Sequence, residues 1–216
     1  MNLLYDMIDY KQLSEPEEEV LQRFLETSYA QAAQSFSQIV KRNVVVGALR
    51  FRVFNSEAGN TPWQPPVFYY GNTMSIVLTD IMGQAQGRSY LILSDQENKI
   101  IQTAGLPTDS SEEMREAFVK ELDNMLSAAM ISEFSTALRT LIFGGVPHLH
   151  TFPQGDAEAF LEEQFSDYPA GYHLVSSVRF MVGDDTGVQP QFLWKLGPSF
   201  LQHLAKYVSQ QVSNEL

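Results

Sequence analysis

Apolar residues recur three and four apart through Leu21, Phe24, Leu25, Ala32, Phe36 and Ile39, the spacing of one buried helix face. Ser14-Glu15-Pro16-Glu17 stands just ahead of that run. Its serine and Glu17 have capping-box spacing, its proline suits a first helical turn, and its acids sit at the positive end of the dipole. A helix is therefore expected from about Ser14 to Lys41-Arg42-Asn43, whose cations suit a helix C-terminus. The period then shortens to two. Val44-Val45-Val46 leads into Leu49-Arg50-Phe51-Arg52-Val53-Phe54, where apolar and basic residues alternate as on a half-buried strand. A loop is expected over 55–66, strands over 74–81 and 89–93 with a hairpin at 83–87, and a short helix over 95–103.

The same order then returns. Asp109-Ser110-Ser111-Glu112-Glu113 holds a second capping box, Ser110 with Glu113, and predicts a long helix to about Leu141, stopped by Gly144-Gly145. Strands follow at 147–152, 173–182 and 189–196, the last two joined by a turn at Gly183-Asp184-Asp185-Thr186-Gly187. Pro198 and Ser199 open a final helix carrying Phe200, Leu201, Leu204, Val208 and Val212. Residues 155–165 have no counterpart in the first half and read as an acidic inserted helix. The repeat predicts a pseudo-two-fold α+β fold, its antiparallel strands packed against two long helices. It also predicts a single domain over 1–216 with degenerate halves at about 14–107 and 109–213. The long helices align at Glu26 and Glu121.

Composition narrows the function. With 44% hydrophobic and 12% aromatic residues, the 216-residue chain is globular. Lys+Arg 14 against Asp+Glu 26 leaves a net charge of −12, which repels phosphate backbones and argues against a nucleic-acid partner. The longest apolar runs, such as Ile76-Val77-Leu78, are too short to span a membrane, and Met1-Asn2-Leu3-Leu4-Tyr5-Asp6 lacks a basic leader. The absence of cysteine excludes disulfides and thiolate metal sites. A cytoplasmic location is expected.

Few residues invite chemistry. His148 and His150 share one face of an expected strand, but two imidazoles without a third ligand read as strand-surface histidines, and no metal site is expected. Asp184-Asp185 fits hairpin chemistry better than a calcium loop. The aromatic stretch from Trp63 to Tyr70 reads as a loop packed on the core, with a partner patch as the alternative.

Glu121 and Asn124 are more informative. At 100° per residue, Phe118, Val119, Leu122, Leu126, Ala129, Met130 and Ala137 form the core stripe of the second long helix. Glu121 and Asn124 fall on the opposite side as an i,i+3 pair. Ala117 and Ala128 lie in line one turn to either side, so the pair stands on a low surface suited to another macromolecule. Pro147 follows Asn124 after 22 residues. Taken alone, such a pair is ordinary helix decoration.

The spacing of Glu121, Asn124 and Pro147 resembles the motif of the CheC/CheX/FliY family of chemotaxis phosphatases. The helix after Asn124 and the strand Gly87-Arg88-Ser89-Tyr90-Leu91-Ile92-Leu93 are similar too. The family motif opens with Asp or Ser four residues before its Glu; here that residue is Ala117. The resemblance implies a CheC-like fold and dephosphorylation of the aspartate of a phosphorylated CheY-like receiver. It implies that Asn124 orients the attacking water and Glu121 pairs with the receiver's Lys. It also implies that Mg²⁺ comes with the receiver and no cofactor resides on this chain. Ala117 and Ala128 are then partner-binding positions, and Glu26 belongs to a weak, degenerate first site with Tyr29 where Asn would stand. A single motif resembles CheX, which pairs as a homodimer. The alternative is a non-catalytic CheC-like module that binds a receiver or another signalling or flagellar-switch protein.

Overall fold

The computed structural model describes residues 14–55, 72–166, 170–183 and 189–215. The Trp63–Tyr70 stretch and the Asp184-Asp185 turn lie outside the described residues. Among the described residues, five helices and seven strands follow the order α1 (Glu15–Val40), β1 (Val44–Asn55), β2 (Thr73–Gly83), β3 (Gly87–Ser94), α2 (Asp95–Gly105), α3 (Glu112–Leu138), β4 (Ile142–Gly144), β5 (His148–Pro153), α4 (Gln154–Ser166), β6 (Tyr172–Val182), β7 (Gln191–Leu196) and α5 (Pro198–Glu215). The fold is α+β, with one antiparallel sheet. Capping explains where helices begin. Ser14 and Glu17 form the first capping box, and Ser94 with Glu97 forms an unanticipated one at α2. At α3 the cap is Ser111, whose hydroxyl accepts from the Met114 amide, one residue later than the expected Ser110.

One boundary departs from expectation. Helix α3 stops at Leu138, well before the Gly144-Gly145 pair. Arg139 takes the left-handed conformation at φ 50, and the Thr140 amide closes back on the Ser135 carbonyl. The stop therefore needs no glycine, and Ile142-Phe143-Gly144 is released to pair with Ile81–Gly83 of β2. Gly83 itself sits at φ 110, where a side chain would run into the Leu141 carbonyl.

The strand order β1-β6-β7-β3-β2, with β4 and β5 both on the outer edge of β2, exchanges outer strands between the halves of the chain. Strand β1 pairs with the β6–β7 hairpin, and β5 pairs with the β2–β3 hairpin. The β3–β7 ladder joins the hairpins at the centre. Alternation along each strand divides the sheet into two faces. Phe180, Phe192, Trp194, Val77 and Leu91 point toward α1, α3 and their flanking helices, where Phe134 meets Phe24, Trp194 and Phe200. Burying each such large side chain stabilises the fold by roughly 1.5–3 kcal/mol.

Helix α4 covers the other face. Phe165 packs on Tyr90, and Phe160 packs on His150 and Phe152. Gln164 accepts from both Arg88, through its side chain, and Lys195, through its carbonyl. The inserted acidic segment is thus a lid on apolar sheet surface. Among the described residues no helix is long and apolar enough to cross a membrane.

Candidate functional site

Helix α3 carries the candidate pair where the sequence places it. Glu121 and Asn124 are both exposed, and so are Ala117 and Ala128 on either side. The Asn124 amide donates to Glu121 Oε2 across 3.5 Å, the outer limit of a hydrogen bond. This loose tie leaves the Asn124 carbonyl oxygen without a protein partner among the described residues. A carboxylate and a carboxamide thus stand side by side on open surface, able to accept from a cation and to both donate to and accept from a water.

What lies beneath the pair was not legible as part of the core stripe. Val119, Leu122, Leu126 and Met130 are buried as expected, whereas Phe118, Ala129 and Ala137 are only half-buried. Asp123 and Ser127 take places in the interior instead, at 0% and 1% exposure. Thr79 of β2 donates to Asp123 Oδ2 at 2.6 Å, while Asp123 Oδ1 is buried without a hydrogen-bond partner. One turn on, the Ser127 and Ser89 hydroxyls lie 2.9 Å apart. Burial pushes the Asp123 carboxyl up to about 7, and the Thr79 hydrogen bond offsets only part of that rise. An acid immediately before the candidate Asn, at the angle of the core face, was the available signal.

Pro147 acquires a physical place. Along the edge of β2, Leu78 pairs with His148 and Ile81 with Gly144, so Thr79 and Asp80 face a break in the ladder. Gly145, Val146 and Pro147 fill that break, three residues against two, and the Gly145 amide donates to the Asp80 carbonyl at 2.7 Å. Val146 is lifted to 75% exposure beside exposed Phe143. Gly144 lets the strand approach α3 closely: a methyl there would touch Ile131 at 3.3 Å and Thr79 at 3.6 Å. The bulge holding Pro147 therefore borders the same Thr79 that holds Asp123.

The first-half site does not take the expected form. Tyr29 is fully buried, its hydroxyl 2.8 Å from Ser176 and its ionisation opposed by burial. It cannot stand on the surface where an Asn would. The left-handed caps correct the helix alignment. Glu26 lies 15 residues before Lys41, as Asn124 lies 15 before Arg139. In that register Arg23 stands at the Glu121 position, Glu26 at that of Asn124, Leu25 at that of Asp123, and Tyr29 at that of Ser127. Glu26 is exposed, accepts from Gln22 at 2.8 Å, and helps line a cavity of about 540 Å³ between α1 and the open edge of β1.

The two histidines share one face of β5, as expected, but differ in exposure. His148 is exposed, while His150 stacks on Phe152 with ring centres 5.8 Å apart. Among the described residues no three His, Asp or Glu side chains gather as a metal group.

Solved structures share this architecture. FliY of Thermotoga maritima matches with a TM-score of 0.62 at 14% identity, over 93% of this chain and 99% of that one. The chain has the CheX and FliY fold. Chemotaxis protein CheX of a Desulfovibrio desulfuricans subspecies matches the fold at TM-score 0.52 and 15% identity, over 82% of this chain and 99% of that one. The FliM middle domain of H. pylori matches at 0.51 and 8%, over 89% and 99%. No family sequence model matches the chain, and no curated protein does.

Proposed function

We propose that this chain is a chemotaxis-type domain that binds a CheY-like receiver and hydrolyses its aspartyl phosphate. The observation that carries the reading is the exposed Glu121–Asn124 pair, flanked by alanines, on the α3 surface of a CheX/FliY fold. An acyl phosphate is a reactive bond, so its hydrolysis depends chiefly on positioning and charge stabilisation. Asn124 orients the attacking water in line with the phosphorus; its neutral amide adds no charge repulsion. Glu121 pairs with the receiver's Lys and sets the docking angle. Ala117 and Ala128 let the two surfaces close, and Mg²⁺ arrives with the receiver. The chain is one domain of two degenerate halves, and only the second carries this site. Glu26 contributes to partner contact at most.

The test mixes the purified protein with a phosphorylated receiver and follows loss of phosphate. Asn124→Ala is expected to abolish the acceleration, by about 100-fold or more. Equal decay with the variant and the unmodified protein sinks the catalytic role of Asn124. A second reading, receiver binding without hydrolysis, is favoured by Ala117, which lacks the polar group that opens the family motif. Tight binding with no change in phosphate lifetime selects it.

A further inference from the structure

The interior behind the candidate pair holds two polar ties one helical turn apart, Asp123 to Thr79 and Ser127 to Ser89. Positions i and i+4 lie on one helix face, so the two ties join α3 to neighbouring strands β2 and β3 and fix its rotation about its axis. Asn124 leaves the backbone one residue, or 100°, beyond Asp123. Whatever sets the angle of Asp123 against the sheet also sets where Asn124 points. In the first half the cap register puts Leu25 at the Asp123 position, and the surface above it lacks an Asn.

We infer that Asp123 is a positioning residue for Asn124, acting through Thr79 and the strand break that holds Pro147, and that its protonation tunes the pair. This rests on the proposed function only for its consequence in hydrolysis; the coupling of Asp123 to Asn124 stands on the geometry.

Among the described residues no charged neighbour bears on Asp123; burial and the Thr79 hydrogen bond set its carboxyl. The inward residues of β2 are Val77, Thr79 and Ile81; those of β3 are Ser89 and Leu91; those of β5 are Leu149 and Thr151. The buried residues of α1 carry no ionic side chain, and on α3 the nearest charges are Lys120 and Glu121, both reaching solvent. With one hydrogen bond and an unpartnered Oδ1, the carboxylate is poorly held and the carboxylic acid is favoured. Proton loss places a charge against Thr79 and the edge of β2, and α3 must shift or admit a water to solvate it.

The test follows the Asn124 side-chain amide by NMR from pH 5 to 9. Its shift is expected to titrate near pH 7 in the unmodified protein and to stay flat in Asp123→Asn, which keeps an acceptor for Thr79 but cannot ionise. A flat profile in the unmodified protein, or a titration that survives in Asp123→Asn, overturns the inference. Asp123→Leu copies the first half and provides a second variant. It is expected to remain folded, to broaden or move the Asn124 amide resonance, and to lower receiver dephosphorylation at least fivefold while receiver affinity falls less than twofold. An Asn124 resonance unchanged in Asp123→Leu also overturns it. If no preparation hydrolyses receiver phosphate, the functional reading fails, and the NMR titration still judges Asp123.

Discussion

The outer faces of α1 and α3 stand in matching frames and differ at nearly every position that matters. Over α1, Arg23 and Glu26 sit above Leu25 and Tyr29; over α3, Glu121 and Asn124 sit above Asp123 and Ser127. Both faces keep a small residue beside the pair, Ala30 or Ala128. The difference therefore reaches through the helix. Where the surface carries the Glu/Asn pair, the interior carries short polar ties to two strands. Where it carries Arg and Glu, a single tyrosine reaches β6 and the neighbouring site is apolar. A surface motif read without the residues beneath it is only half described.

Three substitutions press on that contrast. Leu25→Asp transplants the acid of α3 into α1. Leu25 is fully buried, so a carboxylate there is stripped of water, and among the described residues no hydroxyl is shown reaching that position as Thr79 reaches Asp123. A loss of about 4 kcal/mol is expected in urea unfolding at pH 8. A loss under about 1 kcal/mol means the halves are more alike inside than they look.

Asp123→Asn comes next. An ordinary aspartic acid titrates near 3.9, and Asp123 is raised to about 7. Between those values the native state holds a proton that the unfolded chain has released. Stability from this group is therefore full below about pH 4, declines as pH rises to about 7, and is flat above. At pH 8 Asp123→Asn is expected to raise stability by about 2 kcal/mol, since the buried amide recovers only part of the carboxylate's cost. At pH 4 the gain is expected to vanish. The same gain at both pH values, measured by thermal unfolding, means that Asp123 does not titrate in this window.

The mildest effect belongs to Tyr29→Phe. It removes one buried hydrogen bond to Ser176 and keeps the ring, so about 1 kcal/mol is expected, with no change in receiver dephosphorylation. A fall in that activity would show the first half acting on the site of the second.

Much of the fold was legible because periodicity and caps record it directly. Ser14 and Glu17, the alternation from Leu49 to Phe54, and the 83–87 hairpin all sit where the pattern places them. Three features were not. Arg139 ends α3 in a conformation for which arginine gives no warning, so the glycines beyond it misplaced the stop. A core stripe drawn from apolar letters passes over Asp123 and Ser127, whose burial is bought by partners 44 and 38 residues away. The alignment at Glu26 and Glu121 matched identical letters, while the caps put the halves in a different register. The candidate pair itself was legible through angle and spacing, since exposure on a helix follows from its 100° step.

The exchange of outer strands has a consequence for synthesis. Asn55, the last residue of β1, pairs with Tyr172, which the ribosome reaches 117 residues later. At roughly 5–20 residues per second, β1 waits on the order of ten seconds for its partner. Through that interval β1 has no strand to pair with, because β6 is its only neighbour among the described strands of the sheet. The half with no Asn on its long helix thus stays indispensable: its β2–β3 hairpin is the template on which the later β5 is laid. A nascent chain stalled before β6 should be the species that chaperones hold.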